Sequence, residues 1–315
     1  MKTDTHTFVH TGGHVRLDKF LTERLGGQAS RAVAQKLIQR GRVHINGQTP
    51  KSAHQFLRIG DEVTVARGVI SDTKSTEHFT LADIHLIHKT EDYVVVEKPA
   101  GMLTHAVKET DEGGRDLASL LLPAYSKMCE IWHAHRFGIV HRLDKKVSGI
   151  MVVARTPALY DFLRSQFKER RVLKEYLALV HGKVAKDEGE ICFAIARSKR
   201  SGKFVAKPAL TADARAKYAL THFTVQQRFR GYTYLALSIY TGRTHQIRAH
   251  LSAYGHPVVG DVMYCPKTLK TNLKLDRLFL HSHKLGFLNL QGVWQEFLSP
   301  LPAELSSILK KLPAA

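Results

Sequence analysis

The stretch Gly138-Ile-Val-His-Arg-Leu-Asp-Lys-Lys-Val-Ser-Gly-Ile-Met-Val-Val-Ala154 joins a charged turn to an apolar run. Gly149–Ala154 is short, apolar and rich in β-branched residues, which reads as a buried strand. Immediately before it, Asp144 stands between Arg142 and Lys145. Neighbouring positive charge favours the ionised carboxylate. A positioned carboxylate can act as a nucleophile or a base. The competing reading is an aspartate that caps the turn or pairs with an arginine.

Outward from this strand, residues 81–315 show strand patterns at Ile84–Ile87, Tyr93–Val96, Glu175–His181, Phe223–Val225, Tyr234–Tyr240 and Phe279–Leu280. Helical patterns lie between them at Asp116–Leu122, Pro157–Lys168 and Thr244–Tyr254. The two types are interspersed without a regular strand–helix repeat, so the expected class is α+β, with a mixed or antiparallel sheet flanked by helices. Tyr176 sits in a strand and shares one face with Ala178 and Val180. It reads either as a core tyrosine or as a ring lining a cleft. In Tyr240-Thr-Gly-Arg-Thr-His-Gln-Ile-Arg-Ala-His250, Thr241 or Thr244 can cap a helix that begins near Thr244 or His245. Arg248 then lies one turn in and leans toward the helix start, where its planar fork can meet a carboxylate bidentately. Arg243, in the preceding turn, is better placed for phosphate. A plain basic helix is the competing reading.

The N-terminal part reads as a separate unit. Residues 1–13 are expected to be a flexible polar tail, 14–67 a compact module and 68–80 a linker. Within the module, Leu17, Phe20, Leu21 and Leu25 recur at helical spacing. Ser30 can cap a second helix with Val33, Ala34, Leu37 and Ile38 on its apolar face, and Gly41 stops it. Val43–Ile45 reads as a strand, Asn46-Gly47 as a tight turn and Asp61–Val65 as a returning strand. Arg31, Lys36, Arg40 and Arg42 come with no acid among them, which favours a phosphate-binding face over a merely solvated one.

Charge points the same way. The 315 residues carry 47 Lys and Arg against 28 Asp and Glu, a net +19. Such a field draws polyanions, and nucleic acid is favoured over an anionic membrane because no basic amphipathic stretch displays aromatics. No apolar run approaches the length that spans a bilayer. Cys129, Cys192 and Cys265 are few and scattered, so neither a disulfide framework nor a cysteine zinc site is expected, and a reducing, cytoplasmic setting is. Histidine pairs such as His281 and His283 lack an acidic cluster to complete a metal site. No sequence feature marks an oligomer interface, so a monomer is the default.

The motifs carry two resemblances. Arg16–Leu21, Ser30-Arg31, Ile38, Gly41–Gly47 and Ile59–Val63 make the N-terminal module similar to the S4 RNA-binding domain. Glu97–Gly101, His141–Asp144 with Ser148-Gly149, Lys174–Tyr176 with Leu179-Val180 and Gly182, Gly242–Leu251, and Gly260-Asp261 with Tyr264 resemble the RluA family of RNA pseudouridine synthases. Two departures flank Asp144, with Val147 where the family usually has Thr and Lys146 where it has an acidic or other polar residue. The resemblance implies isomerisation of uridine in RNA: the N1–C1′ bond breaks, the base turns and it rejoins through C5. It implies no metal and no nucleotide cofactor. It also implies Asp144 as catalytic carboxylate, Arg248 as its basic partner, Tyr176 stacked on the target base, and Arg142 entering the RNA where that base leaves. The two-domain layout is similar to that of large-subunit rRNA enzymes, so rRNA is preferred over tRNA. The alternative is a non-catalytic RNA-binding or ribosome-assembly factor.

Overall fold

The computed structural model describes residues 5–25, 31–66, 79–105, 116–124, 138–198, 202–208, 216–266, 268–269, 273 and 275–315. The chain divides into two compact units.

The first unit contains β1 (Thr5–Val9), β2 (Val15–Arg16), α1 (Leu17–Arg24), α2 (Arg31–Gln39), β3 (Val43–Ile45), β4 (Phe56–Leu57) and β5 (Glu62–Ala66). Leu17, Phe20 and Leu21 of α1 meet Ala34, Leu37 and Ile38 of α2 and Val43, Ile45, Val63 and Val65 of the sheet in one core. Gly41 closes α2 at φ 65°, with Arg42 N–H donating back to Leu37 O at 3.0 Å. Asn46 and Gly47 both take positive φ, the geometry of a two-residue hairpin turn. Ser30 and the side chains of Val33 and Lys36 lie outside the described residues.

One expectation is corrected here. Residues 5–9 are not tail, because β1 pairs antiparallel along the whole of β5. Threonine and histidine alternate there with only Phe8 and Val9 apolar. The strand is an edge with little to bury, and that leaves no hydrophobic signature in sequence. The linker expected at 68–80 falls outside the described residues except for its last two positions.

The second unit contains β6 (His85–Lys89), β7 (Tyr93–Lys98), α3 (Leu117–Ala124), β8 (Ser148–Ala154), α4 (Pro157–Lys168), β9 (Leu173–His181), β10 (Glu188–Ile191), β11 (Phe193–Arg197), β12 (Phe204–Pro208), β13 (Thr221–Phe229), β14 (Tyr232–Ile239), α5 (Gln246–Ala253), β15 (Leu280–Leu288), β16 (Trp294–Leu298) and α6 (Ala303–Lys311). Nine strands form one sheet in the order β10-β13-β14-β9-β15-β8-β7-β6, with β16 also on β15. The pairing is antiparallel except between β15 and β8, so the sheet is mixed.

β8 is buried at every position. Its odd residues Met151 and Val153 join Val94, Val96, Tyr176, Ala178 and Ile247 on one face. Its even residues Ile150 and Val152 join Tyr93, Val95, Leu159 and Leu163 on the other. The period of two therefore divides one apolar run between two cores, the mark of a strand covered on both faces. Gly149 is required where β8 meets β15: it sits at φ +125°, and a Cβ there would strike the Ser282 backbone. Among the described residues no helix is long and apolar enough to cross a membrane.

Candidate active site

The turn ahead of β8 is fixed from below. Val147 N–H donates to Asp144 O at 3.0 Å, and Gly101 N–H donates to Lys145 O at 2.7 Å. Lys98, fully buried, donates from Nζ to Pro99 O at 2.8 Å, Met102 O at 2.9 Å and Lys145 O at 3.4 Å. Burial pulls its ammonium down to about 7. Thr104 Oγ1 donates to Leu143 O and accepts from Leu143 N–H. Glu97–Gly101 is thus a clamp on the Asp144 turn, and a buried lysine binding carbonyls in place of a carboxylate has no periodic signal in sequence. His141 packs beneath as a neutral ring. Burial lowers it to about 3, its Nε2 accepts the Val152 N–H at 3.1 Å, and it stacks on Phe167 at 4.8 Å.

Asp144 opens into a cavity of about 410 Å³ whose walls include Arg142, Tyr176, Arg243, His245 and Arg248. Arg248 reaches Asp144 with one N–H, Nη1 to Oδ2 at 2.9 Å. Its remaining fork is turned to Asp261, with Nε to Oδ2 at 2.6 Å and Nη2 to Oδ1 at 3.0 Å. The bidentate partner expected at Asp144 is therefore Asp261, a fully buried carboxylate that also accepts the Met263 and Tyr264 N–H groups. Burial works against the Arg248 charge. Pairing with Asp261 and then Asp144 outweighs it, so the guanidinium pKa is raised. The Tyr264 ring lies 5.0 Å from the guanidinium carbon.

α5 starts at Gln246, later than the capping residues suggest, because His245 takes the left-handed conformation at φ 57°. Thr241 serves the start indirectly by bonding Gln246 Oε1 at 2.7 Å. That turn aims His245 Nε2 at Asp144 Oδ2, 3.6 Å away, while Nδ1 meets Tyr264 Oη at 3.0 Å. Burial, against the pull of Asp144, lowers the His245 pKa. Asp261, His245 and Lys98 all lie in the quoted motifs, yet spacing gives them no role, since each acts through the tertiary fold.

Tyr176 is buried, with its ring on the cavity wall. Burial raises its pKa, and a hydrogen bond with Ser282 only partly offsets that. Arg142 is exposed at the rim. Arg243 donates from Nε to Tyr218 O at 3.2 Å. Among the described residues no group of three or more His, Cys, Asp or Glu side chains could hold a metal ion. His281 is a buried hydrogen-bonding group between Ser148 and Ser299.

The remaining candidates lie in the first unit. Asp18, fully buried, accepts from Arg16, Arg31 and Gln35. Its burial is outweighed by these donors, and its pKa is lowered. Arg31 is thus committed through Nε to an acid that the spacing had not assigned to it. Arg40 and Arg42 are exposed.

A model of the RNA pseudouridylate synthase family matches residues 92–253. The chain is a member of the RluA family of RNA pseudouridine synthases. An S4 domain model matches residues 15–63, inside the first unit. The chain is 32% identical to the RNA pseudouridine synthase YlyB of Bacillus subtilis, over 94% of each protein. It is 30% identical to ribosomal large subunit pseudouridine synthase D of Vibrio parahaemolyticus, over 94% of this chain and 90% of that one. Its fold is similar to human RNA pseudouridylate synthase domain containing 1, with a TM-score of 0.58 and 25% identity over 76% of this chain and 99% of that one. This RluA-family isomerase accordingly acts on RNA, and its S4 domain binds RNA.

Proposed function

We propose that this synthase isomerises uridine in large-subunit rRNA with Asp144 as its catalytic carboxylate. The observation that carries the site is the Asp144 side chain at the cavity wall, held at 2.9 Å by Arg248. A base paired or stacked in RNA cannot reach such a carboxylate, so the target uridine must leave the stack. Arg142, exposed at the rim, is suited to fill the space it vacates. The Tyr176 ring offers the flipped uracil a flat apolar face. Because burial raises the Tyr176 pKa, it stays a phenol at neutral pH and acts as a stacking face and hydrogen-bonding hydroxyl, not as a phenolate. Arg248 gives Asp144 a cationic partner throughout.

The rRNA assignment rests on the shared two-domain layout and on similarity to synthases described as ribosomal large-subunit enzymes. Pseudouridine mapping in a deletion strain tests it. Loss of one or more pseudouridines from large-subunit rRNA, with tRNA unchanged, is expected, and loss confined to tRNA overturns the assignment.

The S4 domain contributes affinity through phosphate contacts. Replacing Arg40 and Arg42 together by glutamine removes two cations, so the slope of log affinity against log salt should flatten by about 1.5. Turnover at saturating enzyme should hold. Equal salt slopes, measured by filter binding, would show that this face does not contact phosphate.

A further inference from the structure

Tyr218 is a large aromatic residue with 45% of its surface exposed, and the chemistry above makes no use of it. Three contacts hold it. Its carbonyl oxygen accepts from Arg243 Nε at 3.2 Å. Its hydroxyl lies beside the free thiol of Cys192, which raises the Tyr218 pKa. The Arg170 guanidinium carbon lies 5.8 Å from the ring centroid.

Arg170 reaches that place at a conformational cost. It is the residue that closes α4, and it takes φ 63°, where glycine is the usual occupant. The N–H groups of Arg170 and Arg171 bond back to Phe167 O and Gln166 O. A non-glycine residue kept in the left-handed region of a helix end points to a use for its side chain. Here the exposed guanidinium lies over an exposed aromatic ring.

The pair adjoins the cavity on two sides. Arg243 lines the cavity and tethers Tyr218. Lys174 also lines it, and burial, followed by the charge of Arg170, lowers its pKa to about 8. Glu190 faces Tyr218, and Glu169 pairs with the neighbouring Arg171. The cations nonetheless outnumber the acids around the ring.

We propose that Tyr218, backed by Arg170 and tethered by Arg243, is a stacking platform for a single-stranded nucleobase that flanks the target uridine. The proposal rests on the reading that this cavity takes a flipped uridine. Extruding one base strips its neighbours of a stacking partner. A rigid ring beside the cavity returns that contact, and the positive charge of Arg170 and Arg243 favours the phosphates that accompany the base. Stacking on tyrosine tolerates any base, so the platform contributes affinity and register without reading sequence.

The ring is tested by Tyr218→Leu and Tyr218→Phe in the full chain. Filter binding and single-turnover tritium release use [5-³H]uridine-labelled large-subunit rRNA transcript. Tyr218→Leu should weaken affinity by about tenfold to a hundredfold while the rate at saturating enzyme stays within about twofold. Tyr218→Phe keeps the ring, loses only the hydroxyl and should bind like the unsubstituted protein. Unchanged affinity in Tyr218→Leu, or an equal loss in Tyr218→Phe, overturns the platform. Photocrosslinking of the unsubstituted protein to the same transcript carrying 5-iodouridine gives an independent reading that needs no variant to fold. The expected adduct is on the peptide containing Tyr218, and a crosslink map without it overturns the proposal. An adduct on Tyr218 without tritium release from this transcript would keep the ring–base contact and overturn the large-subunit rRNA reading instead.

Discussion

Asp144→Asn lowers pseudouridine formation by about a thousandfold or more while RNA affinity stays within about tenfold. Asparagine preserves the shape of the side chain and removes its charge. The fold should survive, because the turn that carries Asp144 is held by backbone groups. Val147 bonds the Asp144 carbonyl, and Gly101 and Lys98 bond the Lys145 carbonyl. Arg248 keeps its two bonds to Asp261, so no buried charge is left unpaired. The substitution therefore isolates the carboxylate. A group used only in the chemical step lowers turnover without weakening ground-state binding. The measurement is tritium release from [5-³H]uridine-labelled RNA, since C5 loses its hydrogen only when the base is rejoined through it. Release from Asp144→Asn at the unsubstituted rate would falsify the assignment.

How much of this was legible in sequence depended on where each signal resides. α4 is read correctly from Pro157 to Lys168, because its proline start, threonine cap and apolar stripe are all local. β8 is legible because burial on both faces gives a continuous apolar run. β15 is not, beyond its first residue. Its pairing with β9 shifts register between Ser282 and Lys284, and Gly286 interrupts the pattern so that Trp294 can pack over it. The start of α5 is displaced because His245 adopts a conformation that no side-chain preference announces. The site divides in the same way. Asp144, Tyr176 and Arg248 could be singled out one at a time, by a charged turn, a strand face and a helix face. The residues that hold Arg248 and the Asp144 turn, Asp261 and Lys98, lie outside the local patterns and act through buried polar contacts. Such contacts are set by the packed interior and leave no period behind.

Arg248→Lys should lower turnover by about a hundredfold to a thousandfold with little change in RNA affinity. The reason is a competition between two acids for one cation. Arginine serves both because it offers Nη1 to Asp144 and keeps Nε and Nη2 for Asp261. Lysine ends in one nitrogen and cannot reproduce the three-point contact of the guanidinium. The Asp261 side chain is fully buried, whereas Asp144 retains 17% exposure at the cavity. An uncompensated buried charge is the costlier outcome, so the ammonium should settle on Asp261 and leave Asp144 without its partner. Asp261 also keeps the Met263 and Tyr264 N–H bonds, which should limit the loss of stability. Arg243→Ala should do the reverse: its guanidinium lies at the rim and holds the Tyr218 carbonyl, so affinity falls while the rate at saturating enzyme holds. Both variants are compared by single-turnover kinetics and filter binding on one RNA. If Arg243→Ala abolishes turnover at saturating enzyme while Arg248→Lys is nearly normal, the two arginines have exchanged roles. The contact between Arg248 and Asp144 would then be structural, and the positioning of the carboxylate would have to be sought in the His245 imidazole that faces it at 3.6 Å.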